Sequence, residues 1–319
     1  MKPTVYVGFD TSNYTTSAAV CSEEGGVLAN VRIPLPVGEG ERGLRQSDAV
    51  FAHVRNLPDA CRELREAIKG YTVAAVGCST RPRSAEDSYM PCFRSGRVAA
   101  EAFAAALDLP IYEFSHQDGH IMAALYSSGA MHLLDSDCFA AFHVSGGTTE
   151  VVTVRPAEDG FSVEIVGGTK DLHAGQAIDR VGVMMGLKFP CGRELERLAS
   201  EYTGKIARPK ISTADGFCHF SGLENLARNL WEKTADRAQV SAFVLRYCAD
   251  TLCALSEQLI EVHGEMPIVY AGGVMSNRYL QSRLAAKDRY FAEPEFSADN
   301  AAGISLLCRR AALSRGGKT

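Results

Sequence analysis

Two stretches of this 319-residue chain repeat one another, and that repeat limits what the chain can fold into. VYVGFDTSNYTTSAAV lies near the N-terminus and FAAFHVSGGTTEVVTV starts at residue 139. Each reads as a strand, a small polar turn and a second strand, with a Thr-Thr pair on the way out. Apolar runs flanking a polar turn predict a hairpin. The Thr-Thr pairs begin at 15 and 148, a period of 133 residues. That is far too long for a solenoid and suits two related lobes.

The pattern after each hairpin is also alike. In the first half, GVLANVRI continues a meander through Gly25-Gly26. A helix is predicted over Asp48–Ala67, broken near Pro58, with Asn56 as cap of its second piece. TVAAVGCS is a short buried strand, Ser95–Leu107 an Ala-rich helix, and IYEFS a strand that delivers the chain to His116. In the second half, FSVEIVGG completes the meander after a turn at Ala157–Gly160. Helices are predicted at about His173–Met185, Arg193–Tyr202, Ser221–Thr234, Ala242–Val262 and Ser276–Ala286. Pro267–Ala271 and RYFAEP read as strands, and Asn300–Arg315 as the last helix. The expected domains are an N-terminal lobe, 1–136, with the C-terminal helix 300–319 packing back on it, and a C-terminal lobe, 137–299.

Composition excludes several classes. With 46% hydrophobic and 22% charged residues the chain is globular rather than disordered. No apolar run reaches the ~18 residues that span a bilayer, so no membrane is expected. Ten scattered cysteines form no CxxC pair and predict reduced thiols in a cytoplasmic protein. Net charge is −5, which gives no global basic signature. Arg81, Arg83, Arg94 and Arg97 could form a local patch for nucleic acid, or be solvated loop charges.

Some residues have side chains suited to chemistry. In HQDGH, His116 and His120 share a helix face at i, i+4, a spacing that places two imidazoles on one metal or simply opens a helix. The zinc-protease HExxH pattern is absent. Asp299, in FSADNAAG, is the best third ligand, and it stands where an N-cap would, two roles that do not exclude each other. Ser145-Gly146-Gly147 could form an amide nest for a phosphate or be only a turn. Asp179 could bond a ribose hydroxyl or pair with Arg180. Gly192 opens a helix and is otherwise turn punctuation. Gly272-Gly273 could abut a flat base and Asn277 bond it, or the segment is a generic strand-to-helix turn.

Together GFDTS, HQDGH, VSGGTTE, AGQAIDR, PCGRELERLA, HFSGLENLA, YAGGVMSNRYL and FSADNAAG, in this order over nearly the whole chain, resemble the TsaD family of tRNA threonylcarbamoyltransferases, formerly called O-sialoglycoprotein endopeptidases. The resemblance implies an α/β fold of two duplicated lobes, of the actin/hsp70/sugar-kinase (ASKHA) type, with an inter-lobe nucleotide cleft. It implies that His116, His120 and Asp299 hold one divalent metal ion, iron or zinc. Ser145, Gly146 and Gly147 would meet the phosphate of an adenylate, threonylcarbamoyl-AMP or an ATP-like nucleotide. Asp179, Gly192 and Asn277 would hold its ribose and adenine. Implied partners are tRNA and a TsaB-like protein or a second copy in a self dimer.

This chain departs from the family at acidic positions. ETSCDET becomes DTSNYTT, so Tyr14 and Thr15 replace an acidic pair, and Asp10 is the candidate base that remains. GPGL is replaced by STRPRSAED, SGGHT by SGGTT, and DDAAGEAFDK by DLHAGQAIDR, with Gln176 for Glu and Leu172 for Asp. The pattern reads as a diverged paralogue. Three functions follow from it: metal-dependent transfer to tRNA, a non-catalytic adenine-nucleotide-binding regulator, or a carbamoyltransferase with a small-molecule acceptor. No nucleophile–base pair supports a peptidase.

Overall fold

The structure is a computed structural model that describes residues 2–12, 14–36, 44–85 and 87–316; Asn13, within the first turn, lies outside them. The described residues fall into two compact units. The first takes those up to Ser127, Pro156–Ser162 and those from Phe296 onward. The second takes Ser128–Arg155 and Val163–Glu295.

Unit 1 is built on β1 (Thr4–Thr11), β2 (Thr15–Ser22), β3 (Val27–Pro34), β4 (Thr72–Arg81) and β5 (Ile111–Ser115), with α1 (Gln46–Ala67), α2 (Phe93–Leu107) and α3 (His116–Ser127). Its sheet order is β3-β2-β1-β4-β5. The first three strands are antiparallel, while β4 and β5 run parallel to β1. The β1 residues Val5, Val7 and Phe9 pack with Val76, Cys78, Ala100 and Leu64 in one apolar core.

Unit 2 uses β6 (Phe139–Val144), β7 (Thr149–Ala157), β8 (Gly160–Thr169), α4 (Ala174–Met184), α5 (Gly192–Glu201), β9 (Thr213–Ala214), β10 (Phe217–Cys218), α6 (Ser221–Thr234), α7 (Arg237–His263), β11 (Ile268–Ala271), α8 (Arg278–Leu284) and β12 (Arg289–Phe291). Its sheet runs β12-β11-β6-β7-β8-β10-β9. Read from β8 to β12, the order third-second-first-fourth-fifth is that of unit 1, and the fourth and fifth strands are again parallel to the first. A two-strand extension beyond β8 is the difference. The short α9 (Pro294–Ser297) and the long α10 (Ala302–Gly316) close the chain.

Glycine sets how α10 meets unit 1. A Cβ on Gly8 of β1 would lie 2.4 Å from Ser305 N, and one on Gly303 would lie 1.8 Å from Gly119 O. So α10 crosses β1 and α3 at backbone contact, which only residues without a side chain permit.

Two local readings are corrected. α1 is continuous through Pro58. Pro58 and Val54 both lie on the exposed side, where water can reach the carbonyl that proline leaves without a donor. Asn56 caps nothing; its Nδ2 donates to Thr16 Oγ1 at 3.3 Å. The helix read over Ser276–Ala286 is present as α8, with a 3-10 turn, Gly273–Ser276, ahead of it. RYFAEP is only three residues of strand, because Pro294 starts α9.

Candidate functional site

In unit 1, the carboxyl ends of β1, β4 and β5 bring together a cluster of polar side chains. β5 runs directly into α3, and Ser115 and Asp118 fix where the helix starts. Asp118 N–H donates to Ser115 Oγ and Ser115 N–H to Asp118 Oδ2, both at 3.0 Å, a capping pair. The helix therefore begins at His116 and aims His116 and His120 to one side. Asp299 enters from the other end of the chain. The cap ahead of α10 is Asn300, not Asp299: Asn300 Oδ1 accepts from Ala302 N–H at 3.0 Å. Its Nδ2 donates to Ala298 O and Phe296 O at 2.7 and 3.1 Å. Asp299 is thereby left to face the histidines.

The Nε2 atoms of His116 and His120 are 2.9 Å apart, and Asp299 Oδ1 lies 3.6 Å from the first and 3.4 Å from the second. These are the three groups whose ligand atoms gather within 4.8 Å among the described residues. Ligands bonded at ~2.1 Å around a tetrahedral ion stand roughly 3.4 Å apart, so the donor set fits a divalent ion. Two imidazole nitrogens and one carboxylate oxygen suit zinc or iron. The three side chains expose 19, 17 and 22% of their surface, so the cluster is open to a ligand from one side.

Asp10, the candidate base, is bonded to one of these histidines. It is fully buried, and its Oδ1 accepts from both Ser79 Oγ–H and His116 Nδ1–H, the latter at 3.0 Å. Burial alone would raise its pKa, but the charge and hydrogen bond of His116, with Ser79, hold it below the usual value. Burial would lower the pKa of His116, but Asp10 and Asp299 outweigh burial and raise it to about 10. Burial works on Asp299 as on Asp10, and the two histidines hold it well below the ordinary carboxylate range.

His53 was missed by sequence reading. Its ring is buried, with Nδ1 2.8 Å from Thr16 Oγ1 and Nε2 2.8 Å from Ser12 O. It thus ties the first turn to the middle of α1.

Unit 2 has the corresponding arrangement without the histidine. Here Ser145 O accepts from Gly175 N–H at 3.1 Å, and Thr149 Oγ1 from Ala174 N–H at 3.0 Å. The second turn therefore sits on the N-terminus of α4, takes its first two amides, and lies where the helix dipole favours an anion. A Cβ on Gly175 would lie 2.7 Å from Gly146 N, so glycine is required there. Part of the nest is already engaged: Gly147 N–H and Thr148 N–H donate to Ser145 Oγ at 3.2 and 3.0 Å. Gly146 and Gly147 are exposed, and a side chain on either would meet open space.

The other sequence candidates lie on the same unit. Asp179 makes no pair with Arg180, which bonds Glu224 instead. Its Oδ1 accepts from Cys191 N–H at 2.7 Å, so it joins α4 to the start of α5 at Gly192. Burial raises its pKa, partly offset by that amide. Gly272 packs its Cα against Val144, while Gly273 is exposed with open space around it. Asn277 caps α8, its Oδ1 accepting from Leu280 N–H at 3.0 Å, which leaves the amide nitrogen for a ligand. β6 and β11 are parallel neighbours with Ala271 opposite His143, so the Ser145 and Gly272 turns leave adjacent strand ends, where ligands bind in open α/β sheets. Of the arginine patch, Arg97 is committed to Glu101 and Glu113.

Comparison with known proteins gives a consistent result. The family model for TsaD, tRNA N6-adenosine threonylcarbamoyltransferase, matches residues 48–306. A tRNA N6-adenosine threonylcarbamoyltransferase from Aromatoleum aromaticum is 29% identical over 98% of this chain and 93% of its own length. One from Streptococcus sanguinis is 33% identical over 90% and 85%. Among solved structures, the activator of 2-hydroxyisocaproyl-CoA dehydratase from Clostridium difficile aligns over 99% of this chain and 98% of its own, with TM-score 0.55 and 11% identity. Full-length HypF aligns over 97% and 55%, with TM-score 0.59 and 14% identity. A ROK family glucokinase from Streptomyces griseus aligns over 96% and 99%, with TM-score 0.51 and 14% identity. At such identities these structures speak for the fold, a duplicated ASKHA-type α/β architecture. No helix among the described residues is long and apolar enough to cross a membrane.

Proposed function

The chain belongs to the TsaD family, the tRNA N6-adenosine threonylcarbamoyltransferases, and from that premise we propose that it transfers a threonylcarbamoyl group from threonylcarbamoyl-AMP to the exocyclic amine of an anticodon-adjacent adenosine in tRNA. The observation that supports this reading most is the spacing of His116, His120 and Asp299, three ligand groups gathered at the strand ends of unit 1.

In the proposed reaction the amine nitrogen bonds to the carbamoyl carbon. The bond from that carbon to the phosphate oxygen breaks, AMP leaves with the electron pair, and the amine gives up a proton. The Ser145–Gly147 turn, resting on α4, would take the AMP phosphate and stabilise it as it leaves. Asp179 would accept from a ribose hydroxyl, and Gly192 with the Asn277 amide would border the adenine. His116, His120 and Asp299 would hold one iron or zinc ion, whose chemistry is that of a Lewis acid and a template. Asp10 is spoken for by His116, so the amine proton leaves by another route.

A second reading is favoured by one feature. Tyr14 and Thr15 stand in the first turn where the family has acids, and Tyr14 is exposed. A non-catalytic, nucleotide-binding regulator would need no base there. The two readings separate on incubation of the protein with threonylcarbamoyl-AMP and unmodified tRNA, followed by digestion and mass measurement of the nucleosides. Threonylcarbamoyl-adenosine supports transfer. Adenylate binding without that product, in a protein loaded with metal, refutes transfer and favours the regulator.

A further inference from the structure

We propose that Asp10 is the positioning residue of His116: its carboxylate holds the imidazole proton on Nδ1, so that Nε2 presents its lone pair to the ion. The inference rests on the metal reading of His116, His120 and Asp299.

Three observations converge on it. His116 Nδ1 is 3.0 Å from Asp10 Oδ1, while the opposite ring nitrogen faces His120 and Asp299. One ring nitrogen is therefore assigned to the carboxylate and the other to the ligand cluster. Asp10 itself is held by Ser79 Oγ–H on the same Oδ1, from β4 beside it. And Asp10 Oδ2 is buried with no hydrogen-bond partner among the described residues. Leaving that oxygen unpaired is costly, so the carboxylate calls for positive charge nearby. An ion held at Nε2 would supply that charge through the ring. Phe93 flanks the ring, its centroid 6.0 Å from that of His116.

The physical effect is twofold. A carboxylate fixes the tautomer and the ring plane, as outer-sphere acids do for metal-bound histidines. Its negative charge also makes Nε2 a stronger donor. Asn in its place keeps the shape and loses the charge.

The test is titration of the metal-free full chain with Co²⁺, followed by visible absorption, in wild type, Asp10→Asn, Ser79→Ala and His120→Ala. Wild type is expected to bind one Co²⁺ and His120→Ala to lose it. Asp10→Asn should weaken binding by about 10- to 100-fold and move the absorption bands. Ser79→Ala should weaken it by a smaller factor in the same direction, and carries the test alone if Asp10→Asn does not fold. A thermal melt of each metal-free variant separates fold from site, because a purely structural Asp10 changes the melt and leaves the Co²⁺ affinity of the folded protein intact. Equal affinity and equal spectra in wild type and Asp10→Asn overturn the proposal while the metal reading stands. Failure of wild type to bind any divalent ion overturns both.

Discussion

His53 and His116 are both buried histidines in unit 1, and the fold moves them in opposite directions. Burial lowers the pKa of His53, whose ring meets a hydroxyl and a carbonyl rather than a full charge. Its proton is taken up first by the unfolded chain, so its contribution to stability is full above the unfolded value of about 6.5 and falls as pH drops below it. His116 is raised to about 10, so in the metal-free protein its contribution is full below about 6.5 and is lost as pH climbs to about 10. His53→Ala should cost roughly 2–4 kcal/mol at pH 7.5, because it leaves Ser12 O without its donor and the Thr16 hydroxyl proton without its acceptor. Denaturant melts at pH 5.5 and 7.5 check the sign: the gap between wild type and variant must shrink at the lower pH. A gap that widens there contradicts the assignment of a neutral ring. At this scale the sequence was legible where partners are local. His116 and His120 are four residues apart, and helical spacing alone puts them on one face. The partners of His53 and of Asp10 were not legible, since they lie 37 and 106 residues away.

Among elements, the crossing of α3 and α10 governs whether Asp299 meets the histidines. Gly119 stands between His116 and His120, and Gly303 is one turn past Asp299. A methyl on Gly303 has no room against the Gly119 carbonyl. Gly303→Ala should force the helices apart, destabilise by at least about 1–3 kcal/mol and abolish metal binding. Gly273→Ala, whose methyl would meet nothing within 4 Å, should leave both unchanged. Metal content and denaturant midpoints of the two variants decide it, and a Gly303→Ala protein with native metal content contradicts the account. Alternation and turn residues made the hairpins readable in advance. The course of α1 was misread because the cost of Pro58 falls where the freed carbonyl side of the helix is exposed, and exposure is a property of packing rather than of the residue type.

At the scale of the whole chain, one plan is used twice and then differentiated. The sheet order repeats, and so do two hydrogen bonds. In each unit the turn serine carbonyl and the second threonine hydroxyl bind the helix that follows. Unit 1 makes both bonds through the His53 side chain, from within α1. Unit 2 brings the α4 N-terminus directly against its turn. The duplication was visible in DTSNYTT and VSGGTTE, because a period of 133 survives as local pattern. The division of labour was not, because it depends on which helix atoms reach each turn. The account as a whole stands on the trio in unit 1. Its most direct test is elemental analysis of the purified chain and of His116→Ala and Asp299→Ala. One iron or zinc per wild-type chain and none in either variant is the predicted result; wild-type metal content in both variants would contradict it.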